Sequence, residues 1–229
     1  MKRIAIIPAR GGSKRIPRKN IIDFCGKPII SYPIQAAIES NIFDYVMVST
    51  DDEEIAEISK QYGASVPFYR SSELSSDSTM IYPVLNDVIL NLEKRGEFFD
   101  QLCCIFPCAP FVTSEKLRIG MDLMSDPEVE CVFPVIRFSF PPQRGLVKDG
   151  DFIKMAIPEN YNVRSQDLEP IYHDAGQFYW LKTSALKNSE NNSLKKSKPI
   201  IISELEAQDI DTLEDLKMAE LKFRVLFNK

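Results

Sequence analysis

A single histidine in 229 residues removes His-rich zinc sites from consideration. Five cysteines are an odd number for a disulfide framework, and no Cys-x-x-Cys pair exists among them. Cys103 and Cys104 sit in an apolar run that reads as a strand, so free, buried thiols are expected. No apolar run approaches the roughly 20 residues that a membrane-spanning helix needs. The apolar stretch after Lys2 and Arg3 breaks at Pro8 and Arg10, too early for a signal peptide, and the chain is expected in the cytoplasm. Excess positive charge is missing too: a net charge of −5 argues against nonspecific binding to nucleic acid. Repeats and low-complexity tracts are also absent.

What is present suits one sizeable domain, with 44% hydrophobic and 27% charged residues. Ile4-Ala5-Ile6-Ile7 reads as a buried strand, followed by a helix from Ser31 carrying Ile34, Ala37 and Ile38, with Pro33 tolerated in its first turn. Tyr45–Ser49 is a second strand, and Asp51 or Asp52 caps the next helix. Further strands are expected at Ser65–Tyr69, Leu102–Phe106, Cys131–Val135 and Pro199–Ile202, and further helices at Thr79–Lys94, Ser114–Met124 and Leu213–Leu226. Strands alternating with helices imply an α/β fold, a mostly parallel sheet with helices on both faces. Between about 138 and 180 the pattern turns to Pro, Gln, Tyr and short alternating segments, which reads as an inserted β-hairpin region within a single domain spanning 1–229. Within it, Phe178, Tyr179 and Trp180 suit a core or a subunit interface better than a base-stacking platform.

A cationic island stands out in this acidic chain: Arg10, Lys14, Arg15, Arg18 and Lys19 fall within ten residues, without an acid. They belong to the loop leaving the first strand, at the carboxyl edge where α/β sheets bind ligands. Gly11 and Gly12 let the backbone approach an anion, and their N–H groups can converge on phosphate oxygens as a nest, with Ser13 beside them. Arg10, Lys14 and Lys19 supply point charges and Asn20 an amide. The loop is neither G-x-G-x-x-G nor G-x-x-x-x-G-K-[ST], which removes support for hydride transfer and for P-loop ATPases. The bland alternative is a Gly-Gly turn among solvated bases.

Near the other end, Asp209 and Asp211 are two residues apart, so in an extended segment both carboxylates point the same way and can share a hard cation. Magnesium suits them, because it takes one or two carboxylates together with phosphate oxygens and waters. The alternative is helix capping, but Thr212 with Asp215 already resembles a capping box.

The loop Pro8-Ala-Arg-Gly-Gly-Ser-Lys…Pro17-Arg-Lys-Asn20 resembles the nucleotide loop of the CMP-acidic-sugar synthetases, the acylneuraminate cytidylyltransferases and their relatives. The resemblance continues at Val48-Ser-Thr-Asp51, Arg70 with Ser76-Asp77, Arg164-Ser-Gln-Asp167 and Asp209-Ile-Asp211. Ile105-Phe-Pro-Cys-Ala-Pro-Phe111 and Tyr172-His-Asp-Ala-Gly-Gln-Phe-Tyr-Trp180 are similar to the branch that activates pseudaminic acid. This resemblance implies a Rossmann-like nucleotidyltransferase that takes CTP and an acidic nonulosonic sugar. It also implies a homodimer whose inserted hairpin reaches toward the partner's active site. By the same resemblance, Arg10, Lys14, Lys19 and Asn20 hold the triphosphate, and Arg70 with the Asp77–Thr79 turn recognises cytidine. Sialic-acid members carry Gln where Phe106 stands at the sugar site, so a sugar other than N-acetylneuraminate is implied. Arg164 is a candidate for the sugar carboxylate or else a surface arginine, Gln166 for an acetamido group, and His173 for a sugar contact or a structural role. The chemistry then expected is in-line attack of the anomeric hydroxyl on the α-phosphorus, with magnesium, Arg10, Lys14 and Lys19 meeting the developing charge and Asp211 essential. A sugar-1-phosphate nucleotidyltransferase would share the fold but carries a Gly-Thr-Arg loop that is absent here. A nucleotide-binding protein without catalysis would have no need of both aspartates.

Overall fold

The computed structural model describes residues 1–76, 79–187 and 196–227. The chain begins with β1 (Arg3–Pro8), then the small ribbon β2 (Asp23–Phe24) and β3 (Lys27–Pro28), helix α1 (Ser31–Ser40), β4 (Tyr45–Ser49) and α2 (Glu53–Gln61). It continues through α3 (Ile81–Glu93), β5 (Gln101–Ile105), α4 (Ser114–Leu123) and β6 (Cys131–Arg137). After the hairpin of β7 (Leu146–Asp149) and β8 (Phe152–Met155) come β9 (Tyr172–Asp174), β10 (Phe178–Lys182), α5 (Thr183–Lys187), β11 (Ser197–Ile202) and α6 (Leu213–Phe227).

The main sheet has the order β11-β6-β10-β5-β1-β4, with β9 also pairing β6. β1 runs parallel to β4 and β5, and β6 parallel to β11, as alternating strands and helices require. β10 is antiparallel to both of its neighbours, so the sheet is mixed. Strand alternation sorts the apolar side chains onto two faces. Ala5, Ile7, Cys103 and Ile105 share a cluster with Ile34 and Ala37 of α1 and Leu117 of α4. Ile4, Ile6, Leu102 and Cys104 share another with Leu85, Val88, Ile89 and Leu92 of α3. A third cluster gathers Ile16 of the cationic loop, Phe24 of β2, Ile210 of the acidic segment and Leu216, Ala219 and Phe223 of α6.

Two expectations change. Ser65–Tyr69 is not a strand: it makes one bridge, Met47 to Ser65, and stops there, because Pro67 has no N–H to continue the ladder. Phe178–Lys182, read with the insertion, is instead a central strand, with Phe178 and Trp180 wholly buried. Trp180 stacks on Phe43, with ring centroids 5.0 Å apart, and leaves no room above Gly120 of α4, where a Cβ would lie 2.5 Å from the Trp180 Cδ1.

Candidate functional site

A cleft of about 690 Å³ opens where β1 and β5 end, lined among others by Arg10, Ser13, Lys14, Lys19, Asn20, Arg70, Thr79, Phe106 and Asp209. Two chain segments far apart in sequence meet there through the third apolar cluster. Ile16, 0% exposed, anchors the cationic loop, and Ile210, 2% exposed, anchors the acidic segment. Burying Ile210 turns its neighbours Asp209 and Asp211 away from that cluster. The Lys19 Nζ then donates to the Ile210 carbonyl at 2.7 Å and lies 3.3 Å from the Asp211 Oδ1. Arg15 pairs with the other Asp211 oxygen at 2.7 Å.

The loop is held from within. The Asn20 amide is buried and donates to the Arg10 carbonyl at 2.8 Å, while its Oδ1 accepts from the Cys108 thiol at 3.2 Å. Burial pushes the Cys108 thiol up to about 12, against the opposing pull of Lys19, so the group is a neutral donor near pH 7. Arg18 takes a left-handed conformation (φ 55°), which swings its guanidinium away from the cleft onto Asp52, at 2.5 and 2.8 Å, and Glu54. That fork, together with the Ile55 N–H, brings Asp52 down to about 2 despite its partial burial. Asp52 also caps α2, as one of the two sequence candidates.

Gly11 donates its N–H to Asp51 Oδ1 at 3.0 Å, and a Cβ there would sit 2.6 Å from an Asp52 oxygen, so this glycine permits close packing of the loop on the α2 cap. Gly12 has open space around it. The Gly11 N–H, expected in a phosphate nest, is instead taken by a carboxylate of the protein itself. Arg70 is buried beneath the cleft and donates to the Ser49 carbonyl at 2.9 Å. Burial lowers its pKa from the ordinary 12.5, Asp51 opposes that and Arg10 adds to it, so an anion here would meet a poorly solvated charge. Thr79 shares a hydroxyl contact of 2.7 Å with Ser76. Asp77, its expected companion, lies outside the described residues.

Phe106 forms one wall, edge-on to Tyr179 at 5.7 Å, with its N–H donated to the Gln177 carbonyl at 2.9 Å. Arg164, Gln166 and His173 do not join it. Arg164 is exposed at the head of a short turn, Ser165–Asp167. Gln166 lines a separate hollow of about 450 Å³ with Phe138 and Ser165. His173 lies on β9 against the Phe138 ring, 4.8 Å away, with its Nδ1 toward the Asp174 carbonyl at 2.9 Å.

No group of three or more metal-binding side chains exists among the described residues. Asp209 lines the cleft and Asp211 lies beside it on Lys19 and Arg15, so an ion taking both carboxylates, with its remaining ligands from phosphate and water, would have to displace those two cations from Asp211. Thr212 and Asp215 cap α6 reciprocally, at 2.8 and 3.2 Å, so neither Asp209 nor Asp211 is needed as the cap, although both oxygens of Asp211 already meet Lys19 and Arg15. Sequence reasoning did not find Ile16, Ile210, Cys108 or Gln177 as site-forming residues. Their signal is burial beside charged neighbours, which depends on the tertiary fold.

A family model described as Cytidylyltransferase matches residues 4–121. The chain is 39% identical over 226 residues to the pseudaminic acid cytidylyltransferase of Campylobacter jejuni subsp. jejuni serotype O:2, covering 98% of this chain and 97% of that protein. It is 31% identical to the CMP-N,N'-diacetyllegionaminic acid synthase of Legionella pneumophila subsp. pneumophila, covering 96% and 95%. A solved structure of CMP:2-keto-3-deoxy-manno-octonic acid synthetase complexed with CTP superposes with a TM-score of 0.74 at 18% identity, covering 99% of this chain and all of that one, which shows a shared fold.

Proposed function

Because the chain belongs to the cytidylyltransferase family, we propose that its cleft joins CMP from CTP to pseudaminic acid and releases pyrophosphate, activating the sugar for surface glycan synthesis. The observation that carries this reading is the meeting of Lys19 with the Ile210–Asp211 backbone and carboxylate, which puts cations and acids of one chain around one nucleotide-sized space. Identity to named relatives over almost the whole chain supports the sugar.

In this reading Arg10, Lys14 and Lys19 bind the triphosphate, and Gly11, Gly12 and Ser13 shape the turn beside it. Asn20 keeps the Arg10 carbonyl fixed, so the loop needs little reorganisation when the anion enters. Arg70, with Asp77 and Thr79, holds cytidine, and Phe106 faces the sugar. The anomeric hydroxyl loses its proton to water as its oxygen forms a bond to the α-phosphorus, the bond from that phosphorus to the bridging oxygen breaks, and pyrophosphate carries the charge away. Asp209 and Asp211 would hold a magnesium ion, which would supply positive charge against the phosphate oxygens. Lys19 and Arg15 share the Asp211 carboxylate before nucleotide arrives, then face the departing charge.

Arg164, Gln166 and His173 stay out of their own chain's cleft, and the β7–β8 hairpin exposes Phe152 by 80% and Ile153 by 69%. Both facts support a homodimer in which each protomer lends these three residues to the other's sugar site. The test is pyrophosphate release with CTP and a panel of pseudaminate, N-acetylneuraminate, N,N'-diacetyllegionaminate and 3-deoxy-manno-octulosonate, with each product identified by mass. Pseudaminate is expected to give the highest kcat/KM, and Asp211→Asn to lower kcat by about a hundredfold or more. Absence of pyrophosphate with every sugar, or full turnover by the Asp211 variant, overturns the reading.

A further inference from the structure

The acidic pair sits on a segment, 207–211, that belongs to no helix or strand, so the sheet ladder does not fix it. Ile210 anchors one side only. The upstream end is held by Ala207, buried in the main core cluster, and by side-chain donors from the turn before β10, from α4 and from α6. The Gln177 Nε2 donates to the Glu206 carbonyl at 2.5 Å. Lys116 of α4, 8% exposed, pairs with the Glu206 carboxylate at 3.0 Å, and Lys222 of α6 donates to the Glu204 and Ala207 carbonyls at 3.0 and 2.9 Å.

Gln177 differs from the two lysines in one respect. Its own carbonyl accepts the Phe106 N–H at 2.9 Å, and its neighbour Gly176 lines the cleft. One residue, 2% exposed, therefore ties the Phe106 wall by its main chain and the acidic segment by its side chain. The Oε1 of that amide is buried with no hydrogen-bond partner among the described residues, so the amide's contribution is its donor. Burying an amide with half of its capacity unmet is costly, and an apolar side chain of similar length would avoid that cost.

We infer that Gln177 is a positioning residue, which sets the distance between the Phe106 wall and the Asp209–Asp211 pair and so tunes the binding of the divalent ion in the CTP complex. The inference rests on the cytidyl-transfer reading. Groups that orient metal ligands without touching the metal typically change its affinity by about 10- to 100-fold when replaced. Manganese serves as the probe. Free manganese is followed by electron paramagnetic resonance as it binds to the CTP-loaded enzyme without sugar, so no turnover occurs. Affinity for CTP without metal is measured by calorimetry.

Gln177→Met is expected to weaken manganese binding about tenfold, while CTP affinity without metal stays that of the wild type. A merely structural role would lower the melting temperature and leave the manganese affinity of the folded fraction unchanged. Lys222→Met, at a half-buried position, releases the same segment without touching Phe106 and is expected to weaken manganese binding in the same direction. It serves as the arm to read should Gln177→Met not fold. Wild-type manganese affinity in the folded variant overturns the inference. A wild-type protein that fails to bind CTP overturns the cytidyl-transfer reading instead, and the two failures are distinct.

Discussion

Arg18 and Lys19 are neighbours in the chain and act on different partners. The left-handed turn at Arg18 sends its guanidinium to Asp52 and Glu54, and the next side chain points to Asp211. Asp52 falls from 3.8 to about 2 because Arg18 holds the ionised form, so its folded value is the depressed one. The stability it contributes is present above about pH 4 and is lost as pH falls through about 2. Melting curves of wild type and Arg18→Met should therefore differ most at neutral pH and draw together across that acid window. Arg15 gives a second prediction. Its pair with Asp211 is exposed, and such pairs contribute about 0.2–1 kcal/mol. Arg15→Gln should tighten manganese binding to the nucleotide-free enzyme by no more than about fivefold, read by the same resonance signal. The sequence shows five clustered cations, but not which of them meet carboxylates of the same chain. That division depends on one non-glycine residue with positive φ, a feature without a spacing signature.

At the scale of elements, caps and apolar periodicity carry most of the information. Asp52 before α2 and Thr212 with Asp215 before α6 mark helix starts that the structure keeps. The strands β1, β4 and β5 are equally legible, because each is a short apolar run, the last two following turns. β10 is not, since its direction depends on where the insertion returns the chain, and Phe178-Tyr-Trp-Leu reads the same parallel or antiparallel. The close approach of α4 to β10 at Gly120 gives a prediction in which two effects compete. Alanine is the better helix former by about 1 kcal/mol, whereas overpacking against a fixed ring costs about 1–3 kcal/mol. Trp180 is held by Phe43 and lies 2.5 Å from the added carbon, so overpacking wins. Gly120→Ala should lower the urea midpoint at unchanged slope.

For the whole molecule, the cationic wall of the cleft was legible in the sequence and the place of the insertion was not. Arg10, Lys14, Lys19 and Asn20 share one loop, and the residue pattern names them together. Arg164, Gln166 and His173 lie on an insertion that stands away from the cleft of its own chain, and no local pattern fixes that placement. If the β7–β8 hairpin joins two protomers, replacing Phe152 by Glu and Ile153 by Lys should shift the sedimentation coefficient from dimer to monomer. KM for the sugar should rise while CTP affinity holds. A variant that sediments like wild type would separate the hairpin from assembly.

The antiparallel strand at the middle of the sheet also shapes how the protein is made. A ribosome delivers β1, β4 and β5 early, but the far edge of β5 is bare until Phe178–Lys182 has been translated and has turned back. Until then the nascent chain presents an unpaired apolar strand, the kind of surface on which misassociation begins. The stretch 4–121, although it matches a family model by itself, holds three of the seven strands of the main sheet and awaits the strand that closes β5, so truncated products should aggregate more readily than the full chain.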